Sequence, residues 1–310
     1  MFSSGIRLPS LWKRGIQRAL GALITLAVIA YLAMFGLIMA ERGRSHVPAP
    51  VLGVAGEALG RSADWLLHHP STYLWQKTET PAFTLVTRFF AHSAGLLAIS
   101  LTAAAVLGVL LGFTMARSKG RLGSAIALLI SVIGVSTPSF LLAMLLWILN
   151  IQIHRWLEAP VLPPTGFGWD LHVVMPSIVL SMRPLAQIAQ VTYVTLSEAM
   201  AQDYVRTGRA KGLMERVVVN RHVMPNIALP VLTTLGTSLR FSLASLPVVE
   251  YFFVWPGVGL VLLEAIDDGN TSLVVDLIVL LGLFFLVVNL ILEVISPFMD
   301  PRLRSVGDDV

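Results

Sequence analysis

The sequence predicts an all-α integral membrane protein with six transmembrane helices, and three observations support this fold class. The chain has 310 residues, of which 55% are hydrophobic, and its mean hydropathy is +0.78. Only 13% of its residues are charged, whereas a soluble domain of this size normally carries about 25%. Its apolar residues are grouped in long stretches, each close to the ~20 residues that a helix needs to cross a bilayer.

Six stretches of the sequence are long and apolar enough to be spans. They are residues 19–40, 89–116, 122–149, 171–197, 226–249 and 272–299. The last three contain ionisable residues, which are Arg183 in the fourth, Arg240 in the fifth, and Asp276 with Glu293 in the sixth. A cleaved signal peptide is the alternative for the first stretch. That stretch is longer than the about 7–15 apolar residues of a signal peptide, and no A-x-A-like cleavage site follows it.

The distribution of Lys and Arg predicts that both termini lie in the cytoplasm, which is the N-in/C-in topology. With the N-terminus inside, fourteen of the 22 Lys and Arg residues fall in cytoplasmic segments and six fall in external ones. Cytoplasmic loops of membrane proteins normally carry such an excess. The placement of these charges therefore indicates a membrane with a positive cytoplasmic side as the reason for the net charge of +4, and we expect no nucleic-acid partner.

The spans divide the chain into two predicted parts. Residues 1–88 comprise the N-terminal tail, the first span and an external segment, and residues 89–310 form a core with five spans. The external segment, residues 41–88, is rich in Pro and is predicted to form an interfacial belt or a small cap from its aromatic residues. These are Trp65, Tyr73, Trp75 and Phe83. Residues 151–170 are predicted to be a turn-rich external loop, and residues 250–266 a re-entrant or interfacial piece.

The most informative cytoplasmic segment is the loop of residues 198–225, EAMAQDYVRTGRAKGLMERVVVNRHVMP. Its first part is rich in helix formers and is followed by Gly212, as a helix often is at its C-terminus. A second short helix is predicted from Leu213 to His222, ended by Pro225, which has no backbone N–H to donate. A short helix held between two spans can transmit movement to a docked partner. An ordinary basic loop beside the membrane is the alternative.

This loop resembles the coupling loop of binding-protein-dependent permeases, the membrane subunits of ABC importers. In that family a Gly is followed, after nine residues, by Ile-x-Leu-Pro, and here Gly212 is followed by His222-Val223-Met224-Pro225. Arg206-Thr207-Gly208 replaces the family's Glu-Ala-Ala. The run DYVRTGRAKGL, which begins at Asp203, is similar to the corresponding run of the peptide-transport branch.

Further motifs resemble the same branch and follow in the same order, over roughly residues 85–304. They are Ser136-Thr137-Pro138-Ser139-Phe140, Val249-Glu250, Trp255-Pro256-Gly257-Val258-Gly259 and Asp300-Pro301-Arg302. The external segment departs from the branch, because it lacks the Gly-Asp-Pro that usually follows the first span. Binding-protein recognition and substrate are therefore not predicted from this segment.

The resemblance implies the type I ABC importer permease fold, in the cytoplasmic (inner) membrane of a prokaryote. It implies a second homologous permease subunit, two ATP-binding subunits and an extracytoplasmic solute-binding protein as partners. The chain has no G-x-x-x-x-G-K-[ST] phosphate loop. We therefore expect it to be a transport subunit, not an enzyme, that binds no cofactor, with ATP and Mg bound by the partner ATPase subunits. Di- or oligopeptides are the implied substrates, and nickel chelates or another small solute are the alternative.

The resemblance also implies which residues couple to the ATPase. These are Asp203, Tyr204, Arg206, Arg209, Ala210, Lys211, Gly212, Leu213, Glu215, His222 and Pro225. In the family, this loop forms a coupling helix that sits in a groove of the ATPase subunit.

Polar residues within the spans are candidates for the translocation path. An Arg at the centre of a bilayer costs at least ~2.5 kcal/mol on insertion scales, so it usually faces a cavity or a partner. One hypothesis is that one or both of Arg183 and Arg240 line the path and attract a peptide carboxylate. A structural pair with Glu250, Glu293, a carbonyl or the second permease is the alternative. The candidates are Arg183, Gln187, Gln190, Arg240 and Glu250, whereas Asp276 and Glu293 are expected near opposite membrane faces without a functional role.

Two other classes of protein are considered. A stand-alone secondary transporter often has two related halves, and the sequence has no such symmetry. An intramembrane enzyme lacks candidate residues, because neither H-E-x-x-H nor G-x-S-x-G occurs. The chain has no cysteine, and His68-His69 has no further ligand at a suitable spacing, so a metal site is not expected.

Overall fold

The computed structural model describes residues 8–45, 50–68, 70–75, 78–117, 129, 131–158 and 161–299, and most of these are helical. The long and short helices are α1 (Leu8–Arg44), α2 (Val51–Leu67), α3 (Ala82–Arg117), α4 (Ser139–Leu157), α5 (Val174–Met200), α6 (Asp203–Ala210), α7 (Glu215–Val218), α8 (Met224–Phe253), α9 (Val258–Asp267) and α10 (Thr271–Met299). A 3-10 turn, Leu171–Val173, precedes α5, and a π-helical turn, Val219–Val223, joins α7 to α8. Two strands, β1 (Thr72–Trp75) and β2 (Thr78–Pro81), lie between α2 and α3.

Within the described residues, six helices are long and apolar enough to cross a membrane, as the sequence predicts. They are Leu20–Arg44, Ala82–Arg117, Ser139–Leu157, Leu171–Met200, Glu215–Phe253 and Thr271–Ile291.

The third span was predicted as one uninterrupted stretch over residues 122–149, but the structure shows a break in it. Residues 131–136 are helical, but the helix breaks at Thr137 and Pro138, and α4 begins only at Ser139. Pro138 has an extended backbone, with φ −61° and ψ 141°. The break has a local cause, because proline disfavours the helical conformation of the residue before it and cannot donate a helix hydrogen bond. Residues 122–128 and 130 of the predicted stretch lie outside the described part of the chain.

The chain forms two compact units. The first comprises residues 1–87 and 262–290, and the second comprises residues 88–261 and 291–310. The sequence-based division at residue 88 left the sixth span with the core, whereas residues 262–290 group with the N-terminal part in the structure.

In the first unit, α1 and α2 pack through a stripe of residues four positions apart. Ala30, Met34 and Ile38 of α1 are buried against Val54 and Ala58 of α2. Residues four apart lie on one face of a helix, so the stripe gives α1 a single packing face over two turns. The external segment therefore contains a helix that docks on the first span, which the sequence had not predicted.

The external segment also contains a β-hairpin, which is the one departure from an all-α fold in the described residues. β1 and β2 pair antiparallel, with Tyr73 opposite Thr80. The Tyr73 hydroxyl donates a hydrogen bond of 2.6 Å to Asp276 of α10, and Trp65 Nε1 of α2 donates one of 2.8 Å to the same carboxylate. Burial and the hydrogen bond to Asp276 raise the pKa of Tyr73 above its usual range, so this phenol stays protonated.

Asp276 therefore has a structural role, which is compatible with the expectation that it has no functional one. Its carboxylate attaches both the helix and the hairpin of the external segment to the sixth span. The sequence offers no local signal for this, because Tyr73 and Trp65 are 203 and 211 residues away from Asp276 along the chain.

Candidate functional site

The loop of residues 198–225 is a folded element. α6 begins at Asp203, after Gln202 with ψ 154°, and it ends at Ala210. Gly212 has a φ of +77°, the left-handed conformation that glycine adopts without a steric penalty. The Gly212 N–H donates to Arg209 O (3.0 Å) and the Leu213 N–H donates to Gly208 O (3.2 Å). This pair of hydrogen bonds is the Schellman motif, and it confirms the prediction that Gly212 ends the first helix.

The second helix of this loop was predicted to be separate and to end at Pro225, and the structure differs on both points. α7 begins at Glu215 and leads through the π-helical turn directly into α8, with the Met224 N–H donating to Val219 O. Pro225 lies in the first turn of α8, where a missing N–H has the lowest cost. The loop is therefore continuous with the fifth span, and a displacement of α7 is passed directly to α8.

An ion pair closes the turn between the two helices. Arg209 donates from Nε to Glu215 Oε2 (3.0 Å) and from Nη2 to Glu215 Oε1 (2.7 Å). Two parallel hydrogen bonds between a guanidinium and a carboxylate fix the relative orientation of both groups. Gly212 lies between Arg209 and Glu215 in the sequence, so the ion pair holds α6 and α7 together across this glycine. Arg206, in contrast, lies 3.7 Å from Asp203 with both side chains largely exposed.

One side of the loop is buried against the helices that flank it. Val205, Val218 and Val223 are buried in one cluster with Leu196 of α5 and Ile227 of α8. The exposed side carries all eleven residues that the sequence predicts for ATPase coupling. These are Asp203, Tyr204, Arg206, Arg209, Ala210, Lys211, Gly212, Leu213, Glu215, His222 and Pro225. The loop therefore has one buried, apolar side and one exposed side that is rich in charged residues.

Three of the path candidates lie along one face of α5. Arg183, Gln187 and Gln190 are spaced four and three residues apart, as side chains on one helix face are. The Arg183 guanidinium lies over the Phe241 ring, 4.2 Å from the ring centroid. Gln187 accepts a hydrogen bond of 2.8 Å from the Ser238 hydroxyl. These contacts join the fourth and fifth spans.

Arg183 and Arg240 are both exposed, and neither forms an ion pair with a described carboxylate. The alternative of a pair with Glu250 is not realised, because that carboxylate has other partners. The Glu293 side chain lies outside the described residues.

Glu250 is fully buried and binds the start of α9. Its Oε1 accepts a hydrogen bond from Ser93 Oγ of α3 (2.5 Å), and its Oε2 accepts from the N–H groups of Gly259 (2.6 Å) and Leu260 (3.3 Å). Ser93 Oγ in turn accepts from the Val258 N–H (2.8 Å). The first N–H groups of a helix lack partners within the helix, and here two side chains from other helices supply them. This placement argues against Glu250 as a path-lining residue and gives it a structural role.

The Trp255-Pro256-Gly257-Val258-Gly259 motif is explained by this network. A side chain at position 257 would place its Cβ 2.0 Å from Glu250 Oε1, and one at position 259 would place it 2.3 Å from Pro247 Cα. Trp255 is fully buried, and its Nε1 donates to the His92 carbonyl oxygen (3.3 Å). The motif is therefore a tightly packed turn in which only glycine fits at two positions.

Ser93 and His92 are residues that the sequence analysis missed. Ser93 is a small polar residue in an apolar span, and its partner Glu250 is 157 residues away. The His92 ring is within 2.8 Å of the Pro256 carbonyl oxygen, measured from Nδ1, and it stacks near Phe167 with 4.2 Å between ring centroids.

The fold and this loop together define a class of protein: a helical membrane protein with six candidate spans and a folded loop between the fourth and fifth that is buried on one side. Residues 108–305 match the family described as the inner membrane component of binding-protein-dependent transport systems. The chain belongs to this family and is a permease subunit of the inner membrane.

The chain is similar to curated permeases over much of its length. It is 29% identical over 227 residues to a dipeptide transport system permease protein of Lactococcus lactis, covering 73% of each chain. It is 28% identical over 306 residues to a glutathione transport system permease protein of Escherichia coli, covering 93% of this chain and 98% of the relative. A solved structure of an amino acid ABC transporter has a TM-score of 0.54 at 12% identity, with 69% of this chain and 94% of that chain covered. This last likeness supports the fold alone.

Replacing Gly212 by Ala is expected to loosen the loop, since the left-handed conformation costs a residue with a Cβ about 1–2 kcal/mol. Deuterium exchange of the amides between residues 203 and 213 should then become about tenfold faster. Gly208→Ala is the matched control, because Gly208 is inside α6 and its added Cβ would lie 3.4 Å from Val218 Cγ2, an ordinary contact. Exchange should be unchanged or slower in this variant. Equal exchange rates in the two variants would contradict the turn described here.

Removing the Glu250 carboxylate is expected to destabilise the permease strongly. Glu250→Ala leaves one hydroxyl and two backbone N–H groups without their acceptor, and an unsatisfied buried group costs about 1–3 kcal/mol. Glu250→Gln keeps a carbonyl oxygen for the N–H groups, so thermal denaturation in detergent should rank the wild type above Gln and Gln above Ala. Glu264→Ala, an exposed carboxylate on the same helix α9, is the control. If Glu250→Ala and Glu264→Ala denature at the same temperature, the capping role is wrong.

Proposed function

We propose that this chain is the permease of an ATP-driven importer that moves di- or oligopeptides across the inner membrane. Two separate ATP-binding subunits dock on the exposed side of the loop, a second homologous permease completes the path, and an extracytoplasmic solute-binding protein delivers the peptide. The observation that supports this proposal is the loop of residues 198–225. It is buried on one side, exposes charged residues on the other, and continues directly into the fifth span.

The geometry of the loop suits the transmission of force from an ATPase. A loop that merely connected two spans would absorb the movement of a docked subunit by bending. Here the Schellman turn at Gly212, the Arg209–Glu215 pair and the buried valines resist such bending. Movement of α6 and α7 is therefore passed on to α5 and α8.

The proposed peptide substrate rests on the relatives, which are named for the transport of dipeptides and glutathione. Nickel chelates or another small solute are the alternative within the same assembly. Uptake assays with labelled dipeptides, in competition with a nickel chelate, separate these two substrates.

We propose that the path runs along the polar face of α5. Arg183, Gln187 and Gln190 share this face, and Arg240 lies on the adjacent α8. Glu250 is not included, since it is fully buried.

Reversing the charge of Arg209 is expected to uncouple transport from ATP hydrolysis, because it replaces the bidentate pair by a repulsion with Glu215. In proteoliposomes that contain the complete complex, Arg209→Glu should lower peptide uptake per ATP hydrolysed several-fold. Combining Arg209→Glu with Glu215→Arg restores opposite charges and should recover part of the coupling.

Arg216→Glu is the control, because it makes the same change of charge at an exposed position next to Glu215. It should affect coupling less than Arg209→Glu does. If it has an equal effect and the double variant recovers nothing, the net charge of the loop, and not the pair, determines coupling. A chain that purifies alone and transports without ATP overturns the importer and supports the secondary transporter.

A further inference from the structure

A small polar cavity lies in the second unit, where the third span is interrupted. It has a volume of about 50 Å³ and is bordered by the break at Thr137 and Pro138, by α5 and by α8. Its polar lining includes Arg183, Ser139 and Ser245. The cavity therefore combines a permanent positive charge with hydroxyl groups inside an apolar region.

We infer that this cavity is a carboxylate subsite that holds the C-terminal carboxylate of the peptide during its passage. The inference rests on the proposed function as a peptide permease. It assigns to Arg183 the recognition of a group that is common to all unblocked peptides, whatever their side chains.

The Arg183 guanidinium is arranged to bind a planar anion. One face of the group is covered by the Phe241 ring, at 4.2 Å from the ring centroid, which leaves the N–H edge free for a ligand. No acceptor among the described residues forms a hydrogen bond or ion pair with Arg183. A guanidinium remains charged at all physiological pH values, and its fork of N–H groups matches the two oxygens of a carboxylate.

Two hydroxyl groups can complete the binding of the carboxylate. Ser139 and Ser245 line the cavity and have no hydrogen-bond partner among the described residues. Thr137, also in the lining, is already engaged, because its hydroxyl donates to Ile133 O (2.7 Å). The two serines thus offer O–H donors that the fold itself does not use.

The depth of Arg183 favours a transported anion over a lipid headgroup. Arg183 follows the start of the span Leu171–Met200 by twelve residues, which corresponds to roughly 18 Å along a helix axis. That distance is more than half of the about 30 Å hydrocarbon core, so the phosphates of lipids lie far from the guanidinium. Arg240 is adjacent to Phe241 in sequence but does not line the cavity.

The test uses the complete complex with its solute-binding protein in proteoliposomes, and the dipeptide Ala-Ala beside its C-terminal amide as the two probes. The ratio of their uptake rates is compared between the wild type and variants, so that the preference of the binding protein is common to all samples and cancels. Arg183→Gln should lower the uptake of free Ala-Ala about tenfold or more and leave the amide nearly unchanged, since the lost interaction is a charge-assisted hydrogen-bond pair.

Three further variants sharpen the result. Arg183→Lys keeps the charge without the fork and should fall between the wild type and Arg183→Gln. Phe241→Leu removes the stacking and should also reduce the ratio. It is the substitute test if Arg183→Gln does not assemble. Arg155→Gln, which removes an equal charge at an exposed position outside the cavity, is the control and should leave the ratio of the two rates at its wild-type value.

The outcomes separate this inference from the proposed function. If the wild-type complex transports both probes and Arg183→Gln reduces both equally or neither, the subsite is wrong and the peptide permease stands. An equal loss is also the result expected if Arg183 pairs with a group of the second permease subunit. If the wild-type complex transports neither probe, both the proposed function and the subsite are overturned.

Discussion

A backbone N–H or C=O that leaves a helix at membrane depth has no water to bind, so the protein itself has to satisfy it. Backbone groups at two irregular positions of the chain are satisfied by the protein itself. At the start of α9, Glu250 and Ser93 accept the N–H groups of residues 258–260. At the junction of α7 and α8, a π-helical turn carries the chain past Pro225 without ending the helix. Each irregularity thus has a specific hydrogen-bonding solution.

The same constraint links structure to transport. The break at Thr137 and Pro138 interrupts the third span, and the polar cavity that contains Arg183 lies at this break. Irregular backbone at membrane depth is tolerated where it is buried in protein or lines a water-filled cavity. The loop of residues 198–225, which joins the fourth and fifth spans, is buried on one side and braced by Arg209 and Glu215. The chain therefore places a polar lining at a break in a span, and a braced loop where we propose that an ATPase docks.

Features that depend on local sequence could be predicted, and features that depend on distant contacts could not. The six spans follow from the spacing of charged residues, and the turn at Gly212 follows from the preference of glycine for the left-handed conformation. The role of Pro225 was predicted wrongly, because a rule for helix interiors was applied to a proline that lies in a first turn.

The attachment of the external segment to Asp276, and the part that Ser93 takes in capping α9, have no local signature. Trp65 and Tyr73 lie 211 and 203 positions from Asp276, and Ser93 lies 157 positions from Glu250, whereas the bonds from Gly259 and Leu260 to Glu250 span only nine and ten positions. An ionisable residue within a span was taken as a path candidate at Glu250, whereas its burial and its three donors assign it to the fold. The β-hairpin was missed because its strands are only four residues long and lie in a segment rich in proline.

The central claim is that the exposed side of the loop binds a separate ATPase, and cysteine cross-linking tests it most directly. The chain contains no cysteine, so Lys211→Cys introduces a single thiol on the exposed side of the loop. In membranes that contain the complete complex, a short thiol-to-amine cross-linker should join this thiol to an ATP-binding polypeptide. The same thiol at the exposed Arg155, predicted to lie on the opposite side of the membrane, should give no such product. Cross-linking from position 155 and none from position 211 would contradict both the predicted orientation and the coupling role of the loop.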